Sequence, residues 1–199
     1  ARDSYPLLTA MIGDGPFRLQ PGQWTDDTAM ALALADSLLV SSGLDEADLL
    51  RRFVEWREKG TYSCTGSCFD IGITTSQGLR NWRQTGSVVA PWSNSRAGNG
   101  SLMRLAPVAV RFWRDRPKLR DIAARQSRTT HGAPEAVDAC IAYAEALADA
   151  IEGRPMVEVM RARSEPYAGR IAAIMAGSWR GKHRDEIRAS GYVSHSLEA

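Results

Sequence analysis

A chain of 199 residues is long enough for one domain with a real core, and 44% hydrophobic against 24% charged residues excludes disorder as its main state. A formal net charge of +2 excludes a strongly basic nucleic-acid binder. The longest uninterrupted apolar run, Ala29 to Ala35, is seven residues, against the ~20 that a membrane-spanning helix needs. No charged-then-apolar signal segment opens the chain, so the expectation is a cytoplasmic protein with no membrane and no nucleic-acid partner, monomeric by default.

Cys64, Cys68 and Cys140 make an odd count in a chain too large to depend on disulfides, which fits a reducing compartment. No second Cys or His pair stands at zinc-site spacing, so inert thiols are expected. Charge is unevenly spread. Residues 1–50 carry two Arg against eight acids, while residues 104–128 carry eight basic residues against two Asp. Such an acidic end and basic middle either frame a site for a metal and a phosphate-bearing ligand or are solvated helix faces; charge alone leaves both readings open.

In chain order, residues 1–24 read as irregular, broken by Pro6, Pro16 and Pro21. Thr25 then caps a helix with Asp26 and Asp27 in its first turn and Met30, Leu34 and Leu38 at helical spacing, stopping near Ser41–Gly43. A second helix runs from Asp45 to Lys59, with a Leu49, Leu50, Phe53, Val54 stripe and Gly60 as its stop. Residues 60–69 form a loop, and Asp70 is expected to cap a helix that reaches Trp82. Residues 84–100 form another loop, in which only Ser87–Ala90 looks extended.

Leu102 to Trp113 is apolar and helical except at Pro107, which kinks it or begins a new helix. Leu119–Ser127 is short and amphipathic. Pro134 opens the clearest helix, carried by Val137, Cys140, Ile141, Ala144, Leu147 and Ile151 and ended by Gly153. Shorter helices are expected at 156–163, 168–176 and 183–189, and Ser196–Ala199 looks like the start of another. No stretch alternates convincingly. The predicted class is all-α, a packed multi-helix globule with functional loops, in one domain over 1–199.

Three clusters carry chemistry. Thr25-Asp26-Asp27-Thr28 offers hard oxygen ligands suited to Mg²⁺ or Mn²⁺, with adjacent aspartates ~100° apart around the helix. The same residues also complement a helix dipole, so metal binding and plain capping both remain open. In Asn99-Gly100-Ser101-Leu102-Met103-Arg104, glycines permit close backbone approach, and a helix starting after Ser101 would aim its amides at a phosphate; a simple Ser-capped helix is the alternative. In Arg128-Thr129-Thr130-His131-Gly132, a neutral imidazole and two hydroxyls offer partners to a ribose or phosphate, against an ordinary surface histidine. No Gly-x-Ser-x-Gly nucleophile elbow occurs.

Taken together, Gly22-Gln23-Trp24-Thr25-Asp26-Asp27-Thr28-Ala29-Met30, Cys68-Phe69-Asp70-Ile71-Gly72, Gly98 through Arg104, and Thr130-His131-Gly132 resemble the ADP-ribosylglycohydrolases in order and spacing across residues 22–150. The resemblance implies an orthogonal all-α bundle with two Mg²⁺ ions at the base of a ligand cleft. It implies Thr25, Asp26 and Asp27 as metal ligands, with Asp26 or Asp27 as the catalytic carboxylate. It implies Asn99, Gly100, Ser101 and Met103 as the loop lining the ADP-ribose cleft, His131 and Gly132 as a further part near the distal ribose, and Asp70 as a neighbour of the site. The activity implied is Mg²⁺-dependent release of ADP-ribose from a modified side chain, foremost arginine, on a protein or a small molecule. The alternative is a non-catalytic ADP-ribose-binding or structural member, as certain lens crystallins resemble the same family.

The chain departs from that pattern at both ends. No Gly-Asp-Ala-x-Gly segment precedes Arg2, and after Glu165 the acids Asp185, Glu186 and Glu198 form no Asp-x-Asp-Thr motif. The expectation is an incomplete domain whose cation, held by Thr25, Asp26 and Asp27 alone, keeps more water and binds weakly.

Overall fold

The structure is a computed structural model that describes residues 9–91 and 97–199. The opening residues expected to be irregular and the loop expected at 84–100 therefore lie partly outside the described residues. The described part of the chain is helical, with isolated antiparallel bridges at Asp14–Leu19 and Gly98–Tyr192 in place of any strand ladder.

Helix α1 (Asp26–Val40) and helix α2 (Glu46–Lys59) form where the periodicity places them. On α1 the stripe Met30, Ala33, Leu34, Leu38 is buried against α2. The Asp45 side chain caps α2 by accepting from the Asp48 amide at 2.9 Å. Gly60 ends it in the left-handed region (φ 72°), its amide reaching the Trp56 carbonyl at 3.0 Å. A side chain there would also collide with the Gly66 backbone, so glycine is required twice over.

Helix α3 (Ile73–Thr85) corrects the expected cap. Gly72, not Asp70, holds the N-cap position, because Asp70 itself turns into the left-handed region (φ 55°) and the chain needs two more residues to enter the helix. The stretch Ser87–Ala90 bends at 88–89, where the Ser87 hydroxyl donates to the Val89 carbonyl. Helix α4 (Ala106–Phe112) begins with Pro107 in its first turn, so the proline starts a helix instead of kinking one.

Helix α5 (Arg116–Arg128), capped by Asp115, and helix α6 (Pro134–Ile151) form the largest helix pair. The buried face of α6 includes Ala136, Ala139, Ala142, Ala144 and Ala148, small enough for α4 and α5 to approach closely. Helices α7 (Met156–Val159), α8 (Gly169–Met175) and α9 (Val193–Glu198) pack on its other sides, with a 3-10 turn at Arg184–Glu186.

Helix α7 is shorter than its apolar pattern predicts because the residues after it are drawn to one buried carboxylate. Asp149 on α6 accepts from Arg161 at 2.6 Å, Arg163 at 2.7 Å and Arg116 at 2.9 Å, tying α5 and the post-α7 chain to α6. Burial alone would raise the Asp149 pKa, but the bond from Arg161 and the charges of Arg161, Arg116 and Arg163 outweigh it and hold the carboxyl below the usual range. That stabilisation is complete above the ordinary carboxylate pKa of about 3.9 and is lost as pH falls through the depressed value. Replacing Asp149 with Asn strands the buried Arg163 guanidinium, and should cost about 3–5 kcal/mol in urea unfolding at pH 7. The acid-induced fall in stability below pH 4 should be shallower in Asp149→Asn than in the parent chain.

Candidate active site

At the start of α1, Thr25 sits in extended conformation and makes no side-chain cap to the backbone. Its hydroxyl instead donates to Asp27 Oδ2 at 3.2 Å. The ~100° step between neighbours puts Asp26 on the inner side, only 8% exposed, and leaves Asp27 exposed. Burial, then the negative charges of Asp27 and Asp70, then a side-chain bond with Asp27 push the Asp26 pKa up to about 7. Burial and the Asp27 charge raise Asp70 as well. Two segments more than forty residues apart thus bring three carboxylates into one another's field.

The second cluster is a tight turn and not a helix start. The amides of Leu102 and Met103 both donate to the Asn99 carbonyl, at 2.8 and 3.0 Å. The expected helix after Ser101 begins only at Ala106, so those two amides are spent inside the turn. Ser101 is fully buried and faces α5 and α6: its hydroxyl accepts from Ser127 at 2.8 Å and from the Cys140 thiol at 3.4 Å.

Arg104 anchors this turn. Fully buried, it donates to Gln126 Oε1 at 2.9 Å, to the Gln126 carbonyl at 2.8 Å and to Thr130 Oγ1 at 2.9 Å, and its guanidinium lies 4.6 Å from the Phe53 ring centroid. Burial pulls its pKa down to about 9, which leaves it charged at neutrality. Sequence reasoning assigned it no role; a lone arginine in a motif gives no sign that it is enclosed.

His131 lies beneath the same turn. Its Nδ1 pairs with Thr130 Oγ1 at 2.8 Å, and its ring packs against Gly98 and Gly100, where a side chain on Gly100 would press into the imidazole. Gly132 follows in the turn between α5 and α6.

A cleft of about 400 Å³ opens between these parts, lined by Asp27, Asn99, Leu102, Met103, Tyr143, Ser196, Leu197 and Ala199. It joins the exposed aspartate of the first cluster to Asn99 and Met103 of the second. Thr25, Asp26 and Asp70 interact with Asp27 without lining the cleft themselves, and Gly100, Ser101, His131 and Gly132 do not line it either. Tyr143, Ser196 and Leu197 were not singled out from the sequence. Tyr143 is the one with a signal, an aromatic set among the alanines of α6. Ser196 arrives because the 190–199 segment is stitched to the turn: Asn99 Nδ2 donates to Ser196 Oγ at 2.9 Å, the Asn99 amide to the Gly191 carbonyl and the Val193 amide to the Ala97 carbonyl.

The oxygens of Thr25, Asp26, Asp27 and Asp70 are hard donors, and a cation among them would relieve the repulsion that raises Asp26. They suit Mg²⁺ as a partial set. Among the described residues, no three His, Cys, Asp or Glu groups are already gathered as a finished metal centre.

The whole chain, residues 1–199, matches the family model described as ADP-ribosylglycohydrolase. It is 40% identical over 198 residues to the ADP-ribosylarginine hydrolase Tri1 of Pseudomonas putida, covering 95% of this chain and 51% of that protein. It is 36% identical over 152 residues to the ADP-ribosyl-[dinitrogen reductase] glycohydrolase of Rhodospirillum rubrum, covering 76% of this chain and 49% of that one. A solved structure of an ADP-ribosylglycohydrolase-related protein complex superposes with a TM-score of 0.80 at 32% identity, over 98% of this chain and 64% of that one. The chain spans about half the length of the curated relatives it matches.

The enclosed imidazole yields a pH test of the floor of this turn. Burial, with a smaller contribution from the Arg104 charge, lowers the His131 pKa to about 3, against about 6.5 for a free histidine. The unfolded chain takes up that proton as pH falls through 6.5 and the folded chain does not. The contribution of His131 to stability is therefore full above that value and declines at about 1.4 kcal/mol per pH unit below it. The raised Asp26 pKa contributes a slope of opposite sign over the same range in both proteins, so the His131 contribution is read as the difference between urea-unfolding profiles. His131→Gln should be less stable than the parent at pH 7.5, by a margin that narrows as pH falls to 5. Equal slopes in the two proteins would contradict an enclosed neutral imidazole.

Proposed function

Because the chain belongs to the ADP-ribosylglycohydrolase family, we propose that it releases ADP-ribose from an ADP-ribosylated side chain, foremost arginine, by cleaving the bond at the ribose anomeric carbon. The observation that carries this reading is the shared cleft. Asp27 and the Asn99–Met103 turn both line it, with the strongly perturbed Asp26 next to Asp27.

Hydrolysis at an anomeric carbon passes through an oxocarbenium-like state, and positive charge accumulates on the ribose. Asp27, exposed on the cleft wall, places negative charge where that cation develops. Asp26, beside Asp27, adds to that negative charge, and the repulsion that raises its pKa marks it as a group that a cation neutralises. Asn99, whose amide nitrogen is engaged by Ser196, keeps its side chain fixed at the cleft edge. The Met103 and Leu102 side chains give the apolar surface that excludes bulk water. Thr25, Asp26, Asp27 and Asp70 are the groups that would hold Mg²⁺, or Mn²⁺ in its place; the ion would polarise ribose hydroxyls and acidify a bound water.

The test is ADP-ribose release from an ADP-ribosyl-arginine protein, with Mg²⁺ and then with EDTA, on this chain and on one extended at both ends. Release should require the ion. Asp26→Asn and Asp27→Asn should each lower kcat by about 100-fold or more, the scale of losing one charge-stabilising or proton-transfer group. Undiminished release in EDTA would overturn the metal assignment. ADP-ribose binding without turnover in the extended chain would place the protein among non-catalytic members.

A further inference from the structure

Among the described residues, 9–25 carry no helix and run through turns at Gly15 and Gly22 before reaching Thr25. Yet Thr25, Asp26 and Asp27 must stand at a set distance from Asp70, against mutual repulsion of the carboxylates. What holds them lies one residue upstream. The Trp24 amide donates to Cys64 Sγ at 3.3 Å, and the Cys64 thiol donates back to the Trp24 carbonyl at 3.0 Å. One side chain thus satisfies both backbone groups of a single residue, which a thiol can do because it is both donor and acceptor. The Trp24 indole Nε1 donates to the Tyr62 carbonyl at 3.0 Å, a third bond between the same two segments.

Tyr62 is itself held in an unusual state. Its φ of 71° is left-handed, a region that residues with a Cβ avoid, and such a state persists only where the surroundings over-determine it. Here they do. The phenol accepts from Arg52 of α2 at 2.7 Å and donates to Asp36 of α1 at 2.9 Å, so the turn is pinned to two helices while its carbonyl faces Trp24. The same loop ends at Asp70, again left-handed at φ 55°. A single loop therefore carries both the grip on Trp24 and the third carboxylate.

We propose that Tyr62 and Cys64 are positioning residues that clamp Trp24 and thereby set Thr25, Asp26 and Asp27 against Asp70. The proposal rests on the reading of those four residues as the cation and reaction site. Neither Tyr62 nor Cys64 lines the cleft; both act through the backbone of Trp24.

The test uses the full chain and two readouts, hydrogen exchange of the segment 23–28 and Mn²⁺ binding followed by electron paramagnetic resonance. The variants are Cys64→Ala, Cys64→Ser, Trp24→Phe and Tyr62→Phe. Loss of two hydrogen bonds should speed exchange of 23–28 by roughly ten-fold in Cys64→Ala and weaken Mn²⁺ by a similar factor, with α6 unchanged. Cys64→Ser, which restores a donor and an acceptor, should recover most of both. Trp24→Phe and Tyr62→Phe should show the same effects at roughly half that size on a logarithmic scale, and they decide the matter should Cys64→Ala fail to fold. Exchange at 23–28 that matches the parent in all four variants would overturn the clamp. So would faster exchange with Mn²⁺ affinity unaltered. A parent chain that binds no Mn²⁺, with exchange still responding, would sink the cation reading and leave the clamp standing.

Discussion

The buried guanidinium of Arg104 is the contact on which the arrangement of the cleft depends. A charge enclosed without a carboxylate is costly, and here neutral oxygens from Gln126 and Thr130 and the face of Phe53 offset part of that cost. In return, one side chain ties the Asn99–Arg104 turn to the end of α5 and to α2. Gln126 repeats the tie by donating to the Ser101 carbonyl, and Ser127 does so through the Ser101 hydroxyl. With Ser101 drawn inward, Asn99, Leu102 and Met103 are the residues of the turn left to face the cleft. His131 closes the underside, where the absence of a side chain on Gly100 lets the imidazole lie flush.

The opposite wall is built on different terms. The Arg104 side is rigid through burial in the α4–α5–α6 core. The aspartate side is rigid because a loop with two left-handed non-glycine residues grips the chain just before α1. The Asp149 cluster lies further along α6 and secures the distal helices without entering the cleft. Helix α6 thus serves both ends of the molecule. Its alanines admit α4 and α5, Tyr143 turns to the cleft, and Asp149 gathers the arginines.

How much of this was legible in the sequence follows from what each feature depends on. Helices α1, α2 and α6 were readable because apolar period, caps and stops such as Asp45 and Gly60 are local properties of the chain. The all-α class followed from the same signals, and the motif order pointed to the family. Asp70 was misread as a cap because its left-handed backbone is imposed by a loop folded on α1 and α2, which no residue near it announces. Ser101 resembled a helix cap for the same reason: the partners that bury it, Ser127 and Cys140, lie far along the chain. Ser196 and Leu197 reach the cleft only through the Asn99–Gly191 and Ala97–Val193 backbone bonds, a pairing across nearly a hundred residues that carries no local pattern.

The electrostatics of the aspartate wall join the cation and the reaction into one requirement. A carboxyl whose pKa has risen to about 7 through burial and two like neighbours is a group short of positive charge. A proton answers that shortage, a divalent cation answers it better, and an oxocarbenium-like ribose presents the same charge for the lifetime of a transition state. Holding the three carboxylates together before any of these arrives stores their repulsion in the folded chain, which is why the wall needs a brace. Hydrogen bonds from an indole, a thiol and a tethered phenol meet that need: they fix the backbone of Trp24 without adding a charge that would cancel the field at Asp27.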